Sequence, residues 1–199
     1  FCNWNFAYLA PAFVRTLDLD TSGGYRIVAL IAVWFFLGQS LGAVITGFFS
    51  DRIGRRPMIL ISLVVFSIAG VLNGLCTERW TFILARSLTG YGIFSIMVVT
   101  NAYIAEISPA ESRGKWQSII ACVGFTAVPL VAVLSWATVP IAPQAWRYIF
   151  YFSGLGLVTF ALALVFFKES PRWLIGRGRV REAESIVREL TGRDIDLSH

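Results

Sequence analysis

One histidine, at the final position 199, is the only imidazole in the chain. That excludes a Ser-His arrangement or a histidine metal site from the body of the sequence, and no paired catalytic acid replaces them. An enzyme reading therefore lacks support. The three cysteines, Cys2, Cys76 and Cys122, lie in or beside apolar runs without metal-ligand spacing. They are expected to be small buried hydrophobes, with no metal site and no cofactor implied. Charge is also scarce: 15% of residues are charged, against roughly 25% in soluble domains. The net charge of +5 raises the question of nucleic acid. The basic residues sit in short clusters between apolar runs and not along one polar face, so a nucleic-acid partner is not expected. Acids are missing where they would matter most to a coupled process. None lies between Phe1 and Leu17, and Asp51 and Glu106 are the two closest to apolar runs.

What the sequence has is length without polarity. Six apolar runs cover 1–17, 26–50, 57–76, 80–105, 115–139 and 146–167. A helix needs about 20 apolar residues at 1.5 Å each to cross roughly 30 Å of hydrocarbon, and runs two to six meet that requirement. A soluble helical core is the competing explanation, and the run lengths argue against it. The first run is short and begins at Phe1, so the chain is expected to be a fragment missing its start. No basic stretch precedes that run and no cleavage pattern follows it, which argues against a signal peptide. The expected organisation is an all-α membrane bundle over 1–167, its first helix truncated, followed by a linker with surface helices over 168–199.

Arginine and lysine positions orient the bundle. Twelve fall on one side: Arg52, Arg55 and Arg56, then Arg113 and Lys115, then seven in the tail beginning with Lys168. Four fall on the other: Arg15, Arg26, Arg79 and Arg147. The arginine-rich side is expected to face the cytoplasm, most simply across a plasma membrane. In the tail, Ser170 can cap a helix beginning at Pro171. Beyond Gly178, the residues Val180, Ala183, Ile186, Val187 and Leu190 share one helical face, and Gly192 can end that helix. A charged opposite face makes it a surface helix, either packed on the bundle or bound to lipid.

"GFFSDRIGRRP" (47–57) concentrates polarity between two apolar runs. Gly47, one turn before Asp51, is expected to admit a neighbouring helix closely. Asp51 can accept a helix N-terminus or an arginine from across the bundle, and Gly54 permits the tight reversal before Pro57. By composition alone the stretch is either a latch or a positive-inside anchor. Gly47, Asp51, Arg52, Gly54, Arg55 and Arg56 resemble the signature between helices two and three of the major facilitator superfamily. "YIAEISPAESRG" (103–114), with Glu106, Arg113 and Gly114, resembles the signature after helix four of its sugar-porter-like members. "ESPRWL" (169–174), with Glu169 and Arg172, resembles the sequence after helix six, which organic-ion transporters share.

The resemblance implies the N-terminal six-helix half of a twelve-helix secondary transporter, built from two inverted three-helix repeats and lacking its C-terminal half. It implies that these charged residues form a cytoplasmic gate joining the halves in an outward-open state. It also implies transport of a small polar organic solute such as a sugar or aromatic acid by alternating access. A proton gradient is the expected driving force. An exchanger or facilitator, and a non-transporting sensor or scaffold, are the alternatives.

Polar residues within the runs are the candidates for the solute cavity: Asn5 and Tyr8, Gln39, then Arg86, Tyr91, Thr100 and Asn101, and Thr126. Arg86, with Gly90 and Gly92, resembles the family's Arg-x-x-x-Gly motif in helix four. Two readings stand for it: an ion pair or snorkelling near Glu78, or a role with an anionic solute or in proton coupling. Individual Thr and Ser residues in spans more often bond their own backbone.

Overall fold

The computed structural model describes residues 21–109, 111–138 and 146–191, and all the regular structure among them is helical. Helix α1 is Thr21–Ile53, α2 Arg55–Leu75 and α3 Arg79–Ile107. Helices α4, Arg113–Phe125, and α5, Ala127–Thr138, form one span; α6, Trp146–Tyr151, and α7, Leu155–Phe166, form another. Two short helices follow, α8 Pro171–Gly176 and α9 Val180–Thr191. Among the described residues, five spans are long and apolar enough to cross a membrane, at 28, 21, 29, 25 and 20 residues. They correspond to runs two to six. Run one, with Asn5 and Tyr8, lies outside the described residues, as does Gly192.

Two of the spans are interrupted. Thr126 separates α4 from α5, and its hydroxyl donates to the Val123 carbonyl at 2.6 Å. Pro129, three residues on, has no amide to give, and its ring opposes the carbonyl four residues back, so the run of 115–139 is interrupted where one continuous helix was expected. Between α6 and α7, Phe152–Gly154 tighten into a 3₁₀ turn. There Ser153 fits against Gly70, and Gly156 against Ser67, where any Cβ would collide.

Helix α3 is the centre of the bundle, with α1 on one side and α2 on the other. Glycine sets the α1–α3 spacing. A Cβ on Gly38 would lie 2.0 Å from the Ser87 carbonyl oxygen, and one on Gly42 2.5 Å from that of Tyr91. In lipid, where hydrocarbon does not drive helices together, such close backbone approach supplies the packing. The close approach expected at Gly47 is therefore misplaced within this chain, since nothing described lies within 4 Å of a Cβ there. Hydroxyls fasten the same seam: Thr46 Oγ1 donates to Ser95 Oγ at 2.7 Å, and Ser95 Oγ reaches the Gly42 carbonyl at 3.4 Å.

The outer faces are the reverse of a soluble protein's. Val33, Phe36, Leu41, Val44 and Phe48 of α1 are exposed, as are Val158, Leu162 and Val165 of α7. Water would penalise so continuous an apolar surface, whereas a bilayer accepts it. Cys122 belongs to such a face on α4 and is exposed, which corrects its expected burial; Cys76 is half-buried.

Candidate functional site

The ends of α1, α3 and α7 and the start of α2 meet at one end of the bundle, and α8 and α9 lie across it. Gly54 makes the reversal from α1 to α2 with φ 118°, a conformation that strains any residue with a Cβ. The first amides of α2 then point outward with no residue of their own helix to bond. Glu169, from the stretch after α7, supplies the acceptor. Its Oε1 accepts from Arg55 N at 2.9 Å, Arg56 N at 3.1 Å and its neighbour Ser170 N at 3.0 Å. A carboxylate at a helix N-terminus is also favoured by the helix dipole. Asp51 was expected as a candidate for this place; Glu169 occupies it.

The same stretch caps the opposite polarity. Trp173 Nε1 donates to the Asp51 carbonyl at 3.0 Å, and Arg177 Nη2 donates to the Asp51 carbonyl at 3.4 Å and to that of Arg52. Residues 169–177 thus serve both ends of the α1–α2 reversal: an anion on the amides, cations and an indole on the carbonyls. Ser170 caps α8, its hydroxyl accepting from Trp173 N at 3.4 Å, with Pro171 at the first helical position. Helix α9 packs on α8 through a face that includes buried Ala183, and Lys168 Nζ stands 3.1 Å from Glu189 Oε2. On the same helix, Glu182 bonds Arg179 and raises the affinity of that guanidinium for its proton.

Arg55 is the hub. Its Nη2 lies 2.8 Å and its Nε 3.1 Å from the single oxygen Glu106 Oε1, a forked contact with the last turn of α3. Its Nη1 lies 2.9 Å from Asp51 Oδ1 and donates to the Ser50 carbonyl at 2.8 Å. The two acids differ in setting. The Glu106 side chain is 17% exposed and that of Asp51 73%. Water screens the Asp51 contact heavily, so Glu106 carries most of the interaction.

Not every candidate joins this cluster. Arg52 stacks over Phe48, 4.1 Å from the ring centre. Arg113, Arg172 and Gly114 make no ion pair or side-chain hydrogen bond among the described residues.

A second polar region lies between α3 and α4. A cavity of about 340 Å³ is bounded by Thr100 and Asn101, by Gln117 across from them, and by apolar residues including Phe125. Gln117 was missed in the sequence, although a glutamine inside an apolar run was signal enough. Asn101 also donates to the Met97 carbonyl at 2.9 Å. Thr126 does not line this space. Gln39 is buried against the bundle, and the Tyr91 hydroxyl sits 3.4 Å from Thr46 Oγ1.

Arg86 is 1% exposed, so its side chain does not snorkel to an aqueous edge. Its guanidinium lies 4.7 Å from the Phe35 ring centre and 5.7 Å from that of Phe150. Cation–π contact of this kind gains strength where water is excluded.

Residues 3–198 match the family model described as "Sugar (and other) transporter". The chain is 35% identical over 179 residues to a Bacillus subtilis protein named as a metabolite transporter, YyaJ, covering 90% of this chain and 39% of that protein. It is 28% identical over 199 residues to monosaccharide-sensing protein 1 of Arabidopsis thaliana, covering 96% of this chain and 26% of that one. Among solved structures, it superposes on the proton:xylose symporter XylE bound to 6-bromo-6-deoxy-D-glucose with a TM-score of 0.86 at 23% identity, covering 96% of this chain and 46% of that one. That likeness establishes the fold. The chain spans about two-fifths or less of the curated relatives it matches.

Proposed function

Because the chain belongs to the sugar (and other) transporter family, a family of integral membrane proteins and not of enzymes, we propose that it is the N-terminal half of a secondary transporter. In this reading, six helices arranged as two inverted three-helix repeats combine with a C-terminal half to move a small polar organic solute. A sugar, an aromatic acid or a related metabolite fits, and proton symport is the driving reaction. The arginine-rich end faces the cytoplasm, with α9 as an amphipathic helix on that surface, and the membrane is the plasma membrane.

The observation that carries the reading is the convergence of Asp51, Arg55, Glu106 and Glu169 at one end of the bundle. Three stretches far apart in sequence form one part-buried network there. Such a network is worth a few kcal/mol at most in one conformation, which is the scale at which two states remain interconvertible. The cavity edged by Thr100, Asn101 and Gln117 is a wall of the solute path. No acid sits in the middle of α1, α2 or α3; under symport the proton-carrying group lies in another part of the protein, and facilitation needs none.

Uptake of radiolabelled sugars and aromatic acids into proteoliposomes holding the intact protein, with and without a pH gradient, tests this. Saturable uptake stimulated by inward-directed protons is expected. Saturable uptake indifferent to the gradient would replace symport with facilitation or exchange. The name of the Arabidopsis relative favours one second reading, a sensor on the same fold. That reading gains if solute binds and flux stays at zero.

A further inference from the structure

Below the α1–α2 reversal lies a second cavity of about 550 Å³, enclosed by the end of α7 and by α8 and α9. Its wall is divided chemically. Ile53, Leu60 and Leu164 come from the ends of membrane spans, while Arg56, Lys168 and Arg179 bring cations to the same space. Two of these cations are answered within the chain, Lys168 by Glu189 at 3.1 Å and Arg179 by Glu182 at 2.6 Å. Arg56 is not. Its Nη2 donates to the Leu164 carbonyl at 2.8 Å, its Nε is buried without an acceptor, and it forms no ion pair among the described residues. Glu169 and Glu182 also line the cavity, and both are engaged, Glu169 with the backbone amides of Arg55, Arg56 and Ser170 and Glu182 with Arg179.

A part-buried guanidinium at the edge of hydrocarbon is costly without an anion. Guanidinium matches phosphate in charge and geometry. The apolar half of the wall matches an acyl chain, and its Ile53 and Leu164 lie where spans end. A basic pocket between spans at a membrane surface is suited to an acidic headgroup. We propose that this cavity binds an anionic phospholipid of the adjoining leaflet, with its phosphate on Arg56, Lys168 and Arg179 at the rim, and an acyl chain along Leu60 and Leu164.

The test uses the intact protein in neutral detergent, titrated separately with dioleoyl phosphatidylglycerol and dioleoyl phosphatidylcholine, with bound lipid counted by native mass spectrometry. Phosphatidylglycerol is expected to bind and phosphatidylcholine to bind far more weakly. Arg56→Gln is expected to weaken phosphatidylglycerol about five-fold, and Lys168→Gln with Arg179→Gln by at least that factor. Arg56→Lys should retain more binding than Arg56→Gln. Equal binding of the two lipids, or phosphatidylglycerol binding unchanged in the double variant, overturns the proposal whether or not Arg56→Gln folds. Displacement of the lipid by inorganic phosphate at equal concentration would also overturn it, by assigning the site to a soluble anion.

Discussion

Glu169 and Gly54 touch across 115 positions of chain: a Cβ built on Gly54 would lie 2.5 Å from Glu169 Oε2. The glycine therefore does two jobs. It adopts a φ of 118°, and it leaves the space through which a distant carboxylate reaches the first amides of α2. Gly54→Ala should cost about 1–3 kcal/mol in backbone strain, and more if the carboxylate is displaced. A lowered thermal midpoint for the purified protein is the expected result. An unchanged midpoint would mean that the reversal relaxes at no cost.

Glu169 itself can be dissected. Glu169→Gln keeps an acceptor oxygen over the Arg55 and Arg56 amides but loses the charge, so a loss of about 0.5–1.5 kcal/mol is expected. Glu169→Ala leaves those amides without this partner and should cost about 2–3 kcal/mol. Denaturation midpoints of the two variants, measured side by side, give the order. Equal losses would show that charge, not hydrogen bonding, is the whole contribution.

Asp51 and Glu106 share Arg55 but should not be equivalent. Asp51→Asn removes a screened contact and should change stability by less than about 1 kcal/mol. Glu106→Gln removes the charge facing a guanidinium that is only 12% exposed, and should cost about 2–4 kcal/mol. Under the proposed function, Asp51→Asn in the intact protein should slow turnover more than it weakens solute binding, since Asp51 lies at the end of the bundle. Flux measured alongside equilibrium binding decides this. Weakened binding with normal turnover would place Asp51 in the solute path.

The spans were legible because 20 or more consecutive apolar residues have few other uses in a folded chain. The tail cap was legible too, since Ser170-Pro171 satisfies a helix start locally. Contacts between distant residues were not. Nothing near Glu169 in sequence points to the amides of Arg55 and Arg56, because helix termini accept any carboxylate that the fold delivers. Arg86 shows the same limit: its polarity suggested an ion pair or snorkelling near Glu78, and only the fold shows that the side chain is buried with Phe35 and Phe150 beside its guanidinium. The break at Thr126 had a local signal in Pro129, but hydropathy alone conceals it.

Gly42 and Gly47 separate the two kinds of constraint a membrane helix carries. Gly42→Ala forces a methyl to within 2.5 Å of a backbone carbonyl of α3, and backbone cannot swing aside as a side chain can. Overpacking of this kind typically costs about 1–3 kcal/mol. Gly47→Ala meets nothing among the described residues, and alanine is the better helix former by about 1 kcal/mol, so stability should hold or rise. Under the proposed function, though, the surface around Gly47 is where the other half closes. Gly47→Ala should then slow transport by the intact protein while leaving its thermal midpoint unchanged or higher. Normal transport by that variant would mean that the closed state leaves room for a methyl at this position, and that the first glycine of the signature sets no spacing between the halves.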